Sequence, residues 1–481
     1  MQHLRTLGNL TITPPKKGFY QENRKRFLAL LKDNKVVNTN SVLFLKGPIE
    51  QSIYDDDTEF RVVPENTFMH FFGIAEPNTY GVLNLETGKS TVFVKVADPE
   101  TSFWMKTKTI EEFKELFEVD EVLDLKTLEN WFADNIDKNT QTVYLNKGIN
   151  PYSGITSFNP QEDYQKLLAD YCVDDKSIYQ WTCEVRVKKS EEEKKLIQQA
   201  VDNAIIAHRS VMKSVKEGKT ELQMANHFSA VVRYFGNSIT PYENIVCAGQ
   251  NASTLHYSPS PIVKFQKGDM ILIDSGARMF GYCSDITRSY PISGKFTEKQ
   301  KQIYNIVLQA QSDVFAMVKP GVSWQACHIQ SEKTILKGLQ DLGIVKGDFD
   351  EMWEKRVPFY FMPHGLGHYM GLYTHDLPGR KDKENDWIDY DMMYLRVHRK
   401  LEEGMVLSNE PGIYFNDTLL EKGYNDDKIK HFFVKEKIKE YQKEVAGVRI
   451  EDDWMVTKDG YYNFSQALPK TVEDIEAFMA S

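Results

Sequence analysis

Long apolar runs are missing from this chain of 481 residues, and so are internal repeats, low-complexity tracts and any abundance of cysteine. No stretch approaches the roughly 18–20 apolar residues of a membrane-spanning helix, so no membrane partner is expected. The opening segment MQHLRTLGNLTITPPKKGF holds no apolar core of signal-peptide length. The five cysteines, Cys172, Cys183, Cys247, Cys283 and Cys327, are odd in number, scattered and without a C-x-x-C pair. That pattern excludes a disulfide framework and a structural zinc site. A reduced, cytoplasmic protein is expected. Basic residues are outnumbered, 59 against 69 acidic, and the net charge of −10 argues against a protein that coats nucleic acid or anionic lipid.

What is present is ordinary globular composition: 41% hydrophobic, 12% aromatic and 27% charged residues, enough to bury sizeable cores. At roughly 150 residues per domain, two or three domains are expected. The first part mixes β-rich runs, Ser41–Leu45, Tyr80–Asn84 and Gly88–Val96, with an amphipathic helical stretch over 110–117. These predict an α/β N-terminal domain over 1–175, a linker over 176–189 and a working domain over 190–481. At the start of the latter, Ser190 with Glu193 fits a helix capping box, and the acidic run 191–193 suits the helix dipole. A second helix is expected from about Thr220.

The residues that carry chemistry lie in the second half. In DMILIDSGARMFGYCSDITRSYPI, from Asp269 to Ile292, an apolar strand Met270–Ile273 and a second strand Gly281–Tyr290 read as a hairpin. If its turn centres on Met279-Phe280, Asp274 and Asp285 are directly opposed, with Cβ atoms roughly 4.5–5.5 Å apart. Two carboxylates that close on apolar strands repel and lose hydration. Either one stays protonated, or cations sit between them, or one merely caps the turn in solvent.

Downstream, MPHGLGHYMGLYTHD holds His364, His368 and His375 within twelve residues. His364 and His368 have the spacing of the H-E-x-x-H helix, but the glutamate is absent and the glycines disfavour a helix. Imidazoles projected from loop or strand beside a closely approaching backbone are expected instead. GMVLSNEPGIY is an apolar strand ending at Glu410, and VAGVRIEDDWMV sets Glu451 inside a strand pattern. A carboxylate in such a run is costly unless it is paired, with Arg449 for instance, or metal-bound.

Asp274, Asp285, His368, Glu410 and Glu451, in these surroundings, resemble the five-ligand dinuclear site of the pita-bread metallopeptidases, the family of methionine aminopeptidase, aminopeptidase P and prolidase. Residues 67–96, with MPHGLGHYMG, NEPGIYF and GVRIEDD, carry the resemblance over almost the whole chain. It implies a smaller, creatinase-like α/β domain followed by a catalytic domain with a curved antiparallel sheet, α+β overall. It implies two divalent ions per subunit, Asp274 on one, His368 and Glu410 on the other, Asp285 and Glu451 bridging. Mainly oxygen donors favour manganese over a structural zinc, and four carboxylates balance the charge of two such ions. By the same resemblance Glu410 carries the proton during hydrolysis, His375 stabilises the tetrahedral intermediate, His364 contacts substrate and Arg449 supports the ligands.

His256, Tyr242 and Arg396 resemble substrate-side residues of the family. The Tyr394-Leu395-Arg396 segment matches the prolidase stretch whose arginine binds a dipeptide's terminal carboxylate, a contact that suits a planar guanidinium. A surface ion pair is the plainer account of that arginine. The resemblance thus implies hydrolysis of Xaa-Pro dipeptides, with an aminopeptidase P acting on longer peptides as the alternative. A metal-free binding module is disfavoured, since those modules have lost ligands and all five are kept here. Homodimers are usual in the family, and Trp104 is the residue expected near a neighbouring subunit.

Overall fold

The computed structural model describes residues 10–379 and 394–481, except 39, 99, 101, 102, 105, 107, 237 and 238. It divides into two units, one formed by Pro15–Val187 and the other by Lys188–Ser481 with the described residues before Pro15.

The N-terminal unit is built on a six-stranded mixed sheet. Val42–Lys46 lies at its middle, antiparallel to Tyr80–Asn84 and parallel to Thr142–Leu145. Alternation along that strand feeds two cores, because successive side chains leave opposite faces. Leu43 and Leu45 join Phe27, Leu31, Phe68 and Phe71 on one side, while Val42 and Phe44 join Leu128 and Phe132 on the other. The amphipathic stretch forms helix Ile110–Leu116, started by a reciprocal Thr109–Glu112 capping box. Where a linker was expected over 176–189, the chain instead forms helix Tyr179–Val187. The reason is burial: Ile178 and Val185 are members of the sheet's core, and the Thr182 hydroxyl donates to Asn146 Oδ1 at 2.7 Å. The unit ends at Val187, twelve residues beyond the expected boundary at 175.

In the C-terminal unit the expected capping box at Ser190–Glu193 starts helix Glu191–Ser214, and Thr220 caps helix Glu221–Tyr234. Every strand pair is antiparallel. Met270–Asp274 runs between Ile245–Ala248 and Thr287–Pro291, and Asp452–Val456 runs between Val406–Asn409 and Tyr461–Asn463. Single bridges, Thr287 to Glu451 and Tyr369 to Leu407, stitch these pieces together. Helices Glu298–Met317 and Trp324–Asp341 pack on each other. No helix among the described residues is long and apolar enough to cross a membrane.

Candidate metal centre

The hairpin forms with a register two residues away from the expected one. Met279 pairs with Tyr282 and Asp274 with Thr287, so the turn is Phe280-Gly281 rather than Met279-Phe280. Phe280 and Gly281 have φ of 49° and 90°, the positive pair that a two-residue hairpin turn requires. Because side chains alternate with period two, this slip leaves Asp285 on the same face as Asp274, diagonal to it instead of opposite. The expected strand Gly281–Tyr290 is also broken, into Tyr282–Cys283 and Thr287–Pro291. Between the pieces the Asp285 amide donates to Asp453 Oδ2 at 2.9 Å instead of joining the ladder. The two aspartates still meet: the Tyr242 hydroxyl lies 2.7 Å from Asp274 Oδ1 and 2.5 Å from Asp285 Oδ1.

Distant segments bring the remaining acids and a histidine to this point. Asp274, Asp285 and Glu451 offer ligand atoms all within 4.8 Å of one another, as do His368, Glu410 and Glu451, and Asp285, His368 and His375. Asp285, His368 and Glu451 each belong to two of these groups. His368 sits on extended chain, and a Cβ on neighbouring Gly367 would come within 2.2 Å of the Ser408 carbonyl oxygen, which explains the glycine. The Nδ1 of His368 lies 3.1 Å from the Tyr369 carbonyl oxygen. A carbonyl only accepts, so Nδ1 carries the hydrogen and Nε2 presents its lone pair. That Nε2 lies 3.4 Å from Asp285 Oδ2 and 3.4 Å from Glu410 Oε1.

Electrostatically the cluster is under-compensated. Burial, then Asp274, push Asp285 well above the ordinary carboxylate range; burial, then Asp285 and Glu410, do the same to Glu451. Glu410 is raised to about 7, first by burial. Asp274 goes the other way: burial opposes its charge, but Arg449 and Tyr242 outweigh that and hold it low. Arg449 donates from Nη2 to Asp274 Oδ2 at 2.7 Å, from Nη1 to the Tyr414 hydroxyl at 2.8 Å and from Nε to Thr287 Oγ1 at 3.2 Å. Thr287 in turn donates to Glu451 Oε2 at 2.7 Å, yet Glu451 Oε1 is buried with no hydrogen-bond partner. Four carboxylates around one guanidinium, with an orphaned carboxylate oxygen among them, fit hard divalent cations.

The other expected residues surround this cluster. His364 Nε2 lies 3.0 Å from the Tyr414 hydroxyl and Nδ1 lies 2.9 Å from the Gly365 carbonyl oxygen. The His375 ring sits 4.4 Å from that of His368. Burial, then neighbouring positive groups, lower His364 to about 3 and His375 to about 2, so both are neutral imidazoles at ordinary pH. Half-buried Arg396 acts electrostatically on His256, His368 and His375. Trp104 belongs to the other unit, where it stands 78% exposed against Phe103. Sequence reasoning missed Tyr414, Thr287, Ser408 and Asp453. Thr287 was within reach, since it lies two residues past Asp285 on the same face; Tyr414 couples His364 to Arg449 through tertiary contacts that no spacing reveals.

Comparison with known proteins agrees with this geometry. Residues 195–458 match the family described as metallopeptidase family M24, and residues 20–144 match the aminopeptidase P N-terminal domain. The chain is similar to the Xaa-Pro dipeptidase of Rattus norvegicus, 35% identical over 485 residues that cover 99% of this chain and 96% of that protein. It is likewise 35% identical to a probable Xaa-Pro aminopeptidase pepP of Botryotinia fuckeliana, over 96% of this chain and 97% of the relative. Among solved structures, aminopeptidase P from E. coli in its low-pH form superimposes with a TM-score of 0.80 at 26% identity, covering 97% of this chain and 99% of that one. The acid cluster, the two-part architecture and these end-to-end matches lead to one conclusion: the chain belongs to metallopeptidase family M24.

Proposed function

We propose that this protein is an Xaa-Pro dipeptidase, a metal-dependent hydrolase that cuts the bond before a C-terminal proline. The observation that carries the reading is the buried convergence of Asp274, Asp285, His368, Glu410 and Glu451 in a chain that aligns end to end with an Xaa-Pro dipeptidase. These five side chains would hold two divalent ions, manganese by the hardness of the donor set. Asp285 and Glu451 would be shared between the ions: they and His368 each belong to two of the ligand groups, but only a carboxylate has a second oxygen to offer, whereas the imidazole has one free lone pair. Bound there, such ions supply Lewis acidity and an acidified water.

The chain's own residues do the rest. Glu410 takes a proton at its carboxylate and returns it to the leaving proline nitrogen; of the five side chains it is the most exposed, 17% against 1–12% for the others. Arg449 fixes Asp274 through an ion-paired hydrogen bond and donates from the same guanidinium to the Tyr414 hydroxyl. His375, held neutral by burial, donates a hydrogen bond to the substrate without adding charge beside the cations. His364 is neutral too, but its Nδ1–H goes to the Gly365 carbonyl and its Nε2 faces the Tyr414 hydroxyl, so it meets substrate through the ring. His256 and Tyr242 line the substrate side, and Arg396 pairs with the terminal carboxylate that follows proline. A tertiary amide offers no N–H, so recognition rests on that carboxylate and on the ring's pocket.

An aminopeptidase acting on longer peptides is the second reading, favoured by the equal identity to the fungal aminopeptidase. Arg396 separates the two, because longer substrates have no carboxylate at that point. Hydrolysis of Ala-Pro and Ala-Pro-Ala by manganese-loaded protein, repeated with Arg396→Ala, decides. Preference for the dipeptide, lost in the variant, is expected; preference for the tripeptide, or indifference to the substitution, overturns the dipeptidase assignment. The same reading carries a homodimer, for which exposed Phe103 and Trp104 are the candidate surface. It also carries a cytoplasmic location, which five free cysteines, four of them buried, support.

A further inference from the structure

We propose that Glu221 is a positioning residue for substrate binding, its buried carboxylate clamping both ends of the segment that carries His256. The inference rests on the dipeptidase reading and adds a residue that neither motif nor metal cluster points to.

Glu221 begins helix Glu221–Tyr234, directly after the cap at Thr220, and is 0% exposed. Its Oε1 accepts from the Ala248 amide at 2.8 Å and from Asn251 Nδ2 at 2.8 Å. Its Oε2 accepts from the Ser260 amide at 3.0 Å. These three donors are amides, not cations, so a full charge has been taken out of water to hold three N–H groups together; the helix N-terminus offsets part of that cost. The same turn of helix reinforces the grip: the Leu222 amide donates to the Ser260 carbonyl and the Glu221 amide to that of Val263, at 3.1 and 3.2 Å. Asn251 and Ser260 are thus anchored to one carboxylate, nine residues apart in sequence.

The segment is braced from its other side as well. A Cβ on Gly447 would come within 2.1 Å of the Ala252 carbonyl oxygen, and Asn416 Nδ2 donates to the Ser253 carbonyl at 3.0 Å. Inside the closed span, Asn251 Nδ2 also donates to the Tyr257 hydroxyl at 2.9 Å. His256 is left exposed in the middle, in the fields of Asp274, Arg449 and Arg396. A side chain that meets substrate from an exposed loop needs its backbone fixed elsewhere, since small misplacements of a contacting group are costly. Glu221 supplies that fixation without touching substrate or the acid cluster.

Glu221→Gln is the test, because glutamine keeps the shape while its NH2 cannot accept from a backbone amide. Full-length protein loaded with manganese is assayed on Ala-Pro as wild type, Glu221→Gln, His256→Ala and the double variant. We expect KM to rise about tenfold in Glu221→Gln, with kcat within twofold and metal content unchanged. That rise should vanish in the His256→Ala background. Glu221→Asp, which keeps the charge but withdraws it by one carbon, should fall between. Hydrogen exchange of residues 248–260 should quicken in Glu221→Gln. An unchanged KM, a rise of the same size in both backgrounds, or a loss of kcat and stability with KM untouched overturns the proposal and leaves Glu221 as a structural staple. Wild-type protein that cleaves no Xaa-Pro peptide counts instead against the functional reading, and the exchange measurement then decides the clamp alone.

Discussion

Glu451 and Asp452 are adjacent, equally buried and opposite in electrical circumstance. Asp452 accepts from Arg288 Nη2 at 2.7 Å, Lys470 Nζ at 2.6 Å and Asn463 Nδ2 at 2.8 Å. Burial works against its charge, but Lys470 and Arg288 hold it far below the ordinary carboxylate range. Glu451 meets Asp285, Glu410 and Asp274 with only Arg449 opposing, is driven far above that range, and leaves one oxygen without a donor. One strand therefore presents a satisfied acid to one set of neighbours and an unsatisfied acid to another. Where the fold needs a buried charge for its own stability it supplies the cation; where it omits the cation, the place is kept for something the chain does not encode. A buried carboxylate is informative about function only once its partners have been counted.

The strongest expected effect falls on the unsatisfied side. Glu410→Gln should lower kcat about 10²–10⁴-fold, the span typical of losing a general base, with folding intact; steady-state kinetics on Ala-Pro measures it. The contrast itself is tested next by two neighbouring substitutions. Asp452→Asn strands Arg288 and should cost about 3–5 kcal/mol of stability in chemical denaturation, with the metal content of the folded fraction unchanged. Glu451→Gln should do the reverse: the metal-free protein is as stable as wild type or more so, but it no longer retains two ions per chain by elemental analysis. If both variants lose stability alike, the distinction drawn here fails.

A smaller effect is expected from pH. Glu410, Asp285 and Glu451 have folded-state pKa values above their unfolded ones, with Glu410 at about 7. Such groups add stability that is fully present below the unfolded pKa and lost as pH rises through the folded one. Chelator-treated protein should therefore lose the Glu410 contribution between about pH 4.5 and 7, with Asp285 and Glu451 acting in the same direction, and melt lower at pH 8 than at pH 5. Metal affinity should rise over the same interval, because binding expels those protons. Calorimetry with and without manganese distinguishes the two slopes.

Much of the site was legible because its parts are local. Asp274 and Asp285 stand out as acids on apolar strands, and a two-residue error of register did not separate them, since the strand period returned both to one face. The glycines around His368 correctly excluded a helix. The helices expected over 110–117, after Ser190 and from about Thr220 formed there; the structure starts all three with capping boxes, of which the one at Ser190 was read from the sequence. What stayed hidden is what depends on distant pairing. Arg288 meets Asp452 across 164 residues and Tyr414 meets Arg449 across 35; nothing in their spacing distinguishes these buried partners from surface charges and core aromatics. The helix Tyr179–Val187 was misread as a linker because its mixed sequence hides how deeply Ile178 and Val185 enter the sheet's core. Ligand roles were assigned through resemblance, and without it the acids could equally have been read as protonated or solvated.

The central claim is that the uncompensated acids exist to hold a pair of cations. Anomalous diffraction from crystals of the manganese-loaded protein tests it most directly. Two peaks among Asp274, Asp285, His368, Glu410 and Glu451 are expected, with the Arg288–Asp452–Lys470 group free of any. No peak in that cluster, with its carboxylates instead turned to protein partners or sharing protons, contradicts the claim.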